Sequence, residues 1–160
     1  MQKIIVTLDG YSSCGKSTLA RQLARELNYV FVDSGAMYRA ITLYFLRNHV
    51  DIKDDEQVLK ALSMIHLDFD YNQSKGSSDM ILNGENVEIL IREMTISERV
   101  SEVSANPYVR EFAVAQQQNL GIRKGIVMDG RDIGTTVFPN AELKIFVTAD
   151  PAVRAERRYQ

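Results

Sequence analysis

Residues 10 to 18, GYSSCGKST, gather two glycines, a lysine and several hydroxyls directly after the apolar run IIVTLD. Gly10, Gly15, Lys16 and Ser17 satisfy G-x-x-x-x-G-K-[ST], the pattern of a phosphate-binding loop set between a strand and a helix. Each residue type answers a need. Glycine at 10 and 15 permits backbone torsions that let successive N–H groups, those of Tyr11, Ser12, Ser13 and Cys14 among them, converge on one anion. A helix starting near Lys16 aims its unsatisfied N–H groups and positive dipole end at the same place. Lys16 adds a mobile full charge for β- and γ-phosphates, the Ser17 hydroxyl suits Mg²⁺, and Thr18 adds a donor to the α-phosphate. The competing reading is an ordinary Gly/Ser turn that matches by chance. The strand before the loop and the helix after it favour a nucleoside triphosphate site.

A second cluster follows the apolar run GIVM: Asp129-Gly130-Arg131-Asp132, then Gly134-Thr135-Thr136. Asp129 is a carboxylate at the carboxyl end of a strand, suited to hold the metal through water; the alternative is a turn or helix cap. Two carboxylates and a guanidinium around a glycine make a poor structural turn and a good ligand-contacting segment, against which stands a solvated charge cluster. The chain has no Asn-Lys pair, so the Asn-Lys-x-Asp signature of a GTP switch is absent. It is also short for a mechanical or transport ATPase. A small-molecule kinase fits better. His49 and His66 have no partner at metal or triad spacing and read as structural, and Cys14 reads as a small filler.

These groups need a frame. With 160 residues, 45% hydrophobic, the chain is long enough for one core with a smaller insert. A net charge of −2 excludes a global basic field, so no nucleic-acid partner is expected. A single cysteine excludes an internal disulfide and fits a reducing compartment. With no signal-type leader and no membrane-length apolar stretch, a soluble cytoplasmic protein without a membrane partner is expected. Short apolar runs at 3–8, 29–32, 125–128 and 143–147 read as buried strands. Leu19, Leu23 and Leu27, with Ala20 and Ala24, form one helix face. Asp33 and Ser34 offer caps for a helix carrying Met37, Ile41, Tyr44 and Phe45, and a further helix places Val58, Leu62 and Ile65 together. Residues 67–91 alternate apolar and polar around the loop QSKGSSD and an Asn-Gly turn, the texture of a small antiparallel insert. Residues 93–104 read as helix, Asn106-Pro107 opens another, and Asp150-Pro151 opens a last one. Strands alternating with helices predict an α/β fold with a mostly parallel sheet.

Four segments, LDGYSSCGKST, VDSGAMYRA, NPYVRE and MDGRDIGTTVFPNA with LKIFVTA behind it, resemble bacterial cytidylate kinases of the nucleoside monophosphate kinase family. DSGAMYR and DGRDIGTTVFP are more specific than the loop, and residues 67–91 match the insert of the bacterial enzymes. The resemblance implies a P-loop NTPase-type sheet of order 2-3-1-4, with core at 1–33 and 101–160 and a monophosphate-binding region at 34–100. It implies ATP-dependent phosphorylation of CMP and dCMP, with Lys16 and Arg131 catalytic. The acceptor phosphate falls to Ser34 and Arg39, with Tyr38 close by and Arg131 joining them; two guanidinium groups suit a dianion. Cytosine falls to Ser101, Arg110 and Asp132, with Ser12 also reaching the substrate. A carboxylate accepts from the 4-amino group and Arg110 donates to O2 and N3, contacts that uracil turns repulsive. Surface pairing remains the alternative for Arg110, simple packing for Tyr38, and an ordinary helical serine for Ser101.

The loop departs from its relatives at Tyr11, where Pro is usual, and at Ser13 and Cys14. Those relatives run on through an Arg-rich lid, a fifth strand and a last helix. The expectation is that these are absent here, with Arg154, Arg157 and Arg158 just before the lid and 143–149 left as a bare apolar edge. The full-length protein is expected to be a monomer. Alternatives are another small-molecule P-loop kinase, or an impaired nucleotide-binding fragment lacking the lid.

Overall fold

The computed structural model describes residues 2–72, 74, 75 and 77–159, so Gln73 and Gly76 of the expected turn-rich loop lie outside the described residues. The chain divides into two compact units: residues up to Ser34 together with those from Gln118 onward, and Gly35–Gln117.

The first unit is built on β1 (Ile5–Gly10), β2 (Val30–Asp33), β6 (Ile126–Gly130) and β7 (Leu143–Val147), with α1 (Lys16–Leu27) and α6 (Pro151–Tyr159). The strands lie in the order β2-β6-β1-β7, all parallel, which is 2-3-1-4 when only parallel strands are counted. This is the expected α/β sheet. Its register matters for the site: Asp33 pairs with Asp129, and Asp9 with Gly130, so three carboxylates collect at one end of the sheet. Val6, Leu8, Phe31 and Val127 form the core with Ala20 and Ala24 of α1. Small side chains at 20 and 24 let that helix approach the strands closely. Truncating a buried leucine in such a setting costs about 2–5 kcal/mol.

Two expectations need correction here. Leu19 is 41% exposed, because the buried stripe of α1 centres on Ala20 and Ala24 rather than on the leucines. The apolar run at 143–147 is not the buried strand its pattern alone suggests but the bare edge also expected: Leu143 is 42% and Phe146 61% exposed, since β7 has β1 as its only strand partner among the described residues. The first strand also runs two residues further than the apolar pattern suggested, because its ladder with β7 continues to Gly10.

The second unit holds most of α2 (Ser34–Arg47), α3 (Asp55–Ser63), α4 (Met94–Ala105) and α5 (Pro107–Gly121). It also holds the antiparallel sheet β3 (Leu67–Asn72), β4 (Ser77–Leu82) and β5 (Glu85–Asn86), the expected insert. Asp54 starts α3 by accepting from the N–H groups of Glu56 and Gln57. Asn106 does the same for α5, accepting from Tyr108 and Val109, with Pro107 as first helical residue. Buried Asp79 on β4 takes hydrogen bonds from Asn72, Asn86 and Lys75. Burial opposes its charge, yet these donors hold its carboxyl below the ordinary value. Among the described residues no helix is long and apolar enough to cross a membrane.

Candidate functional site

The loop leaves β1 at Gly10, where a Cβ would fall 2.4 Å from the Val147 carbonyl oxygen and 3.0 Å from Cys14 Sγ. Only glycine allows the loop to turn this close to β7. Ser13 and Gly15 both take positive φ, 60° and 88°, which curls the backbone just before α1 begins at Lys16. Gly15 caps α1 without a side-chain hydrogen bond and no acidic residue occupies the first turn, so neither a capping side chain nor a carboxylate of that turn competes with an anion for the helix's leading N–H groups. Lys16 Nζ folds back and donates to the Tyr11 carbonyl at 3.2 Å. Cys14 is buried beneath the loop, as a filler should be, and Thr18 is exposed on α1.

The acidic side is built by β6. Asp129 is 2% exposed; its Oδ2 accepts from the Ser17 hydroxyl, and its Oδ1 has no hydrogen-bond partner among the described residues. Burial, reinforced by neighbouring Asp33, pushes the Asp129 carboxyl up to about 6, against the opposing pull of Ser17, Lys16 and Arg21. A buried carboxylate oxygen left unpaired beside a hydroxyl is a donor set for a hard divalent cation, so the residues present fit Mg²⁺. The Ser34 hydroxyl donates to the Asp129 backbone carbonyl at 2.6 Å, tying the start of α2 to the same strand end.

After β6 the chain makes one wide helical turn, Ile133–Val137, with bonds from Val137 N to Asp132 O and from Phe138 N to Ile133 O. Arg131, just before it, donates to Ser12 Oγ at 2.8 Å. A guanidinium is thereby fastened to the loop itself. Asp132 is half-buried beside it. Asp9, which sequence reasoning passed over, accepts from the N–H groups of Ile133 and Gly134, both at 2.8 Å. The available signal was a carboxylate at the end of an otherwise apolar, buried strand.

Arginines of α6 flank the loop. Arg154 stacks over the exposed ring of Tyr11 at 5.0 Å, and that ring meets Phe146 edge-on at 6.1 Å. Arg157 reaches the Ser13 carbonyl at 3.5 Å and borders a hollow of about 540 Å³ with Cys14, Thr18, Leu19 and Gln22. A second hollow, of about 510 Å³, lies by Ser12, Pro151, Arg154 and Arg158.

In the second unit, Arg39 of α2 donates to the Ile91 carbonyl at 3.1 Å and to Ser97 Oγ at 2.9 Å. Ser97, also missed from sequence, precedes exposed Ser101 by one turn of α4. Tyr38 is half-buried on α2 and Arg110 half-buried on α5. Among the described residues no group of three or more His, Cys, Asp or Glu could hold a metal.

A family profile described as Cytidylate kinase matches residues 6–160. The cytidylate kinase of Bacteroides thetaiotaomicron is 57% identical over 162 residues, covering 99% of this chain and 71% of that protein. That of Flavobacterium psychrophilum is 56% identical, covering 99% of this chain and 72% of the relative. That of Cytophaga hutchinsonii is 54% identical over 160 residues, covering 100% and 68%.

Proposed function

The chain belongs to the cytidylate kinase family, and from that premise we propose that it transfers the γ-phosphoryl group of ATP to CMP and dCMP. The donor sits in the loop Gly10–Thr18, with Lys16 on the β- and γ-phosphates. Ser17 and Asp129 would hold Mg²⁺, the latter through water; bound there, the cation supplies charge neutralisation for the triphosphate. For the acceptor we propose phosphate contacts from Ser34, Arg39 and Arg131, with Tyr38 close by. Ser101, Arg110 and Asp132 read the base, and Ser12 assists at the loop. An acceptor phosphate oxygen attacks the γ-phosphorus as the bond to the β,γ-bridging oxygen breaks, releasing ADP. Positioning and charge are what these residues contribute; no covalent intermediate is needed.

The observation that carries this reading is the hydrogen bond from Arg131 to Ser12. On this reading the bond links an acceptor-side guanidinium to the donor loop, next to where charge develops during transfer. The test is ADP release with ATP plus CMP, dCMP, UMP, AMP or shikimate. CMP and dCMP should raise the rate well above that with ATP alone, and no stimulation by either would overturn the proposal. Within the same assay Asp132→Asn should shrink the preference for CMP over UMP by about tenfold, the worth of one mispaired buried polar contact. Unchanged selectivity would remove Asp132 from base reading.

A further inference from the structure

Asp9 occupies the next-to-last position of β1 and is 8% exposed. Its two oxygens are committed separately, Oδ1 to the N–H of Ile133 and Oδ2 to the N–H of Gly134. Those N–H groups open the turn Ile133–Val137, whose internal bonds begin only with the N–H of Thr136. The turn therefore cannot satisfy its own start, and a carboxylate from another strand does so. The fit is close: a Cβ on Gly134 would lie 2.8 Å from Thr7 Oγ1 and 3.2 Å from Asp9 Oδ2. Arg131 and Asp132 stand immediately before the clamped pair, and Gly10, the first loop residue, immediately follows Asp9. The link from Arg131 back to Ser12 closes the circuit.

We infer that Asp9 is a positioning residue for the acceptor: by clamping residues 133 and 134 it sets where Arg131 and Asp132 stand over the phosphate loop, and so governs affinity for the monophosphate rather than for ATP. The inference rests on the reading of Arg131 and Asp132 as acceptor contacts. Asp9→Asn keeps the shape and one acceptor but sets an amide N–H against a backbone N–H. A clamp with a merely structural role would weaken both nucleotides alike. A positioning role separates them.

Steady-state kinetics on the full chain, varying one nucleotide at saturation of the other, provide the test. Asp9→Asn is expected to raise KM for CMP about tenfold while KM for ATP stays within about twofold. Added to Arg131→Ala, it should raise KM for CMP by clearly less than the roughly tenfold effect it has alone, because only the placement of Asp132 is then left to lose. Should Asp9→Asn fold poorly, Gly134→Ala crowds Thr7 Oγ1 and the same Asp9 carboxylate and should produce the same split. Equal rises for both nucleotides, or full additivity with Arg131→Ala, would overturn the inference. So would a raised KM in Arg131→Ala beside an unchanged one in Asp9→Asn, which leaves the acceptor reading intact. An unchanged KM in Arg131→Ala overturns that reading and the inference with it.

Discussion

Lys16→Met is expected to lower kcat/KM for phosphoryl transfer by about 10²–10³-fold, the scale seen when one preorganised charge-stabilising donor is removed. The ammonium is the loop's own full positive charge, and its recorded protein contact is the Tyr11 carbonyl within the same loop. That contact is exposed, so the variant should keep its unfolding free energy within about 0.5 kcal/mol of the parent. Chemical denaturation alongside the coupled ADP assay separates the two effects. Lys16→Arg should not restore activity, because a planar fork cannot take the place of a compact, rotatable ammonium in so small a turn. Near-parental kcat/KM in Lys16→Met would place the triphosphate elsewhere.

Asp129→Asn is expected to move activity and stability in opposite directions. The carboxyl is 2% exposed and held up at about 6. Its ordinary value is 3.8, so the native state favours the protonated form. Stability from this group is therefore fully present below about 4 and is lost as pH rises through about 6. For the nucleotide-free, metal-free chain at pH 7.5, that difference is worth about 3 kcal/mol against the folded state. The neutral amide removes this cost and still accepts from Ser17, though its NH₂ then occupies the place where Oδ1 has no partner. Allowing about 1–2 kcal/mol for that unpaired donor, a net gain of about 1–2 kcal/mol is expected at pH 7.5. Turnover should fall by about 10²-fold or more, since an amide is a poor ligand for a hard cation. Denaturation in the presence of EDTA at pH 5 and pH 7.5 checks the stability half, and the coupled ADP assay with Mg²⁺ checks the turnover half. The parent chain should be more stable at the lower pH with respect to this group, and Asp129→Asn should flatten that difference. An equal pH slope in parent and variant would show that Asp129 is not the group responsible.

The phosphate loop was legible because its chemistry constrains residue types directly. Glycine at 10, left-handed torsion at Gly15, and a charge at Lys16 are residue choices readable from the pattern itself, even though what crowds Gly10 is the Val147 carbonyl of another strand. Asn106 and Pro107 were legible for a similar reason, since a helix start is local chemistry. Leu19, and the burial of β7 as read from its apolar run alone, were misread because an apolar residue reveals its preference for burial without saying whether a neighbour exists to bury it. The sheet order that leaves Phe146 on an edge is a property of pairing, not of LKIFV itself.

The same distinction runs through the site. Order of residue types along the chain was enough to establish a nucleotide-binding loop, a second acidic and basic cluster, and the family to which both belong. It was not enough to join them. Ser17 meets Asp129 across 112 positions and Asp9 meets Ile133 across 124, contacts that exist only once parallel strands bring their carboxyl ends together. Burial then decides what those groups are: it raises the Asp129 carboxyl, and in Asp9 it obliges both oxygens to find backbone partners. A hydrogen bond needs geometry to within a few tenths of an ångström, and a desolvation cost needs an enclosure. Neither is carried by residue identity; both arise when the chain folds against itself.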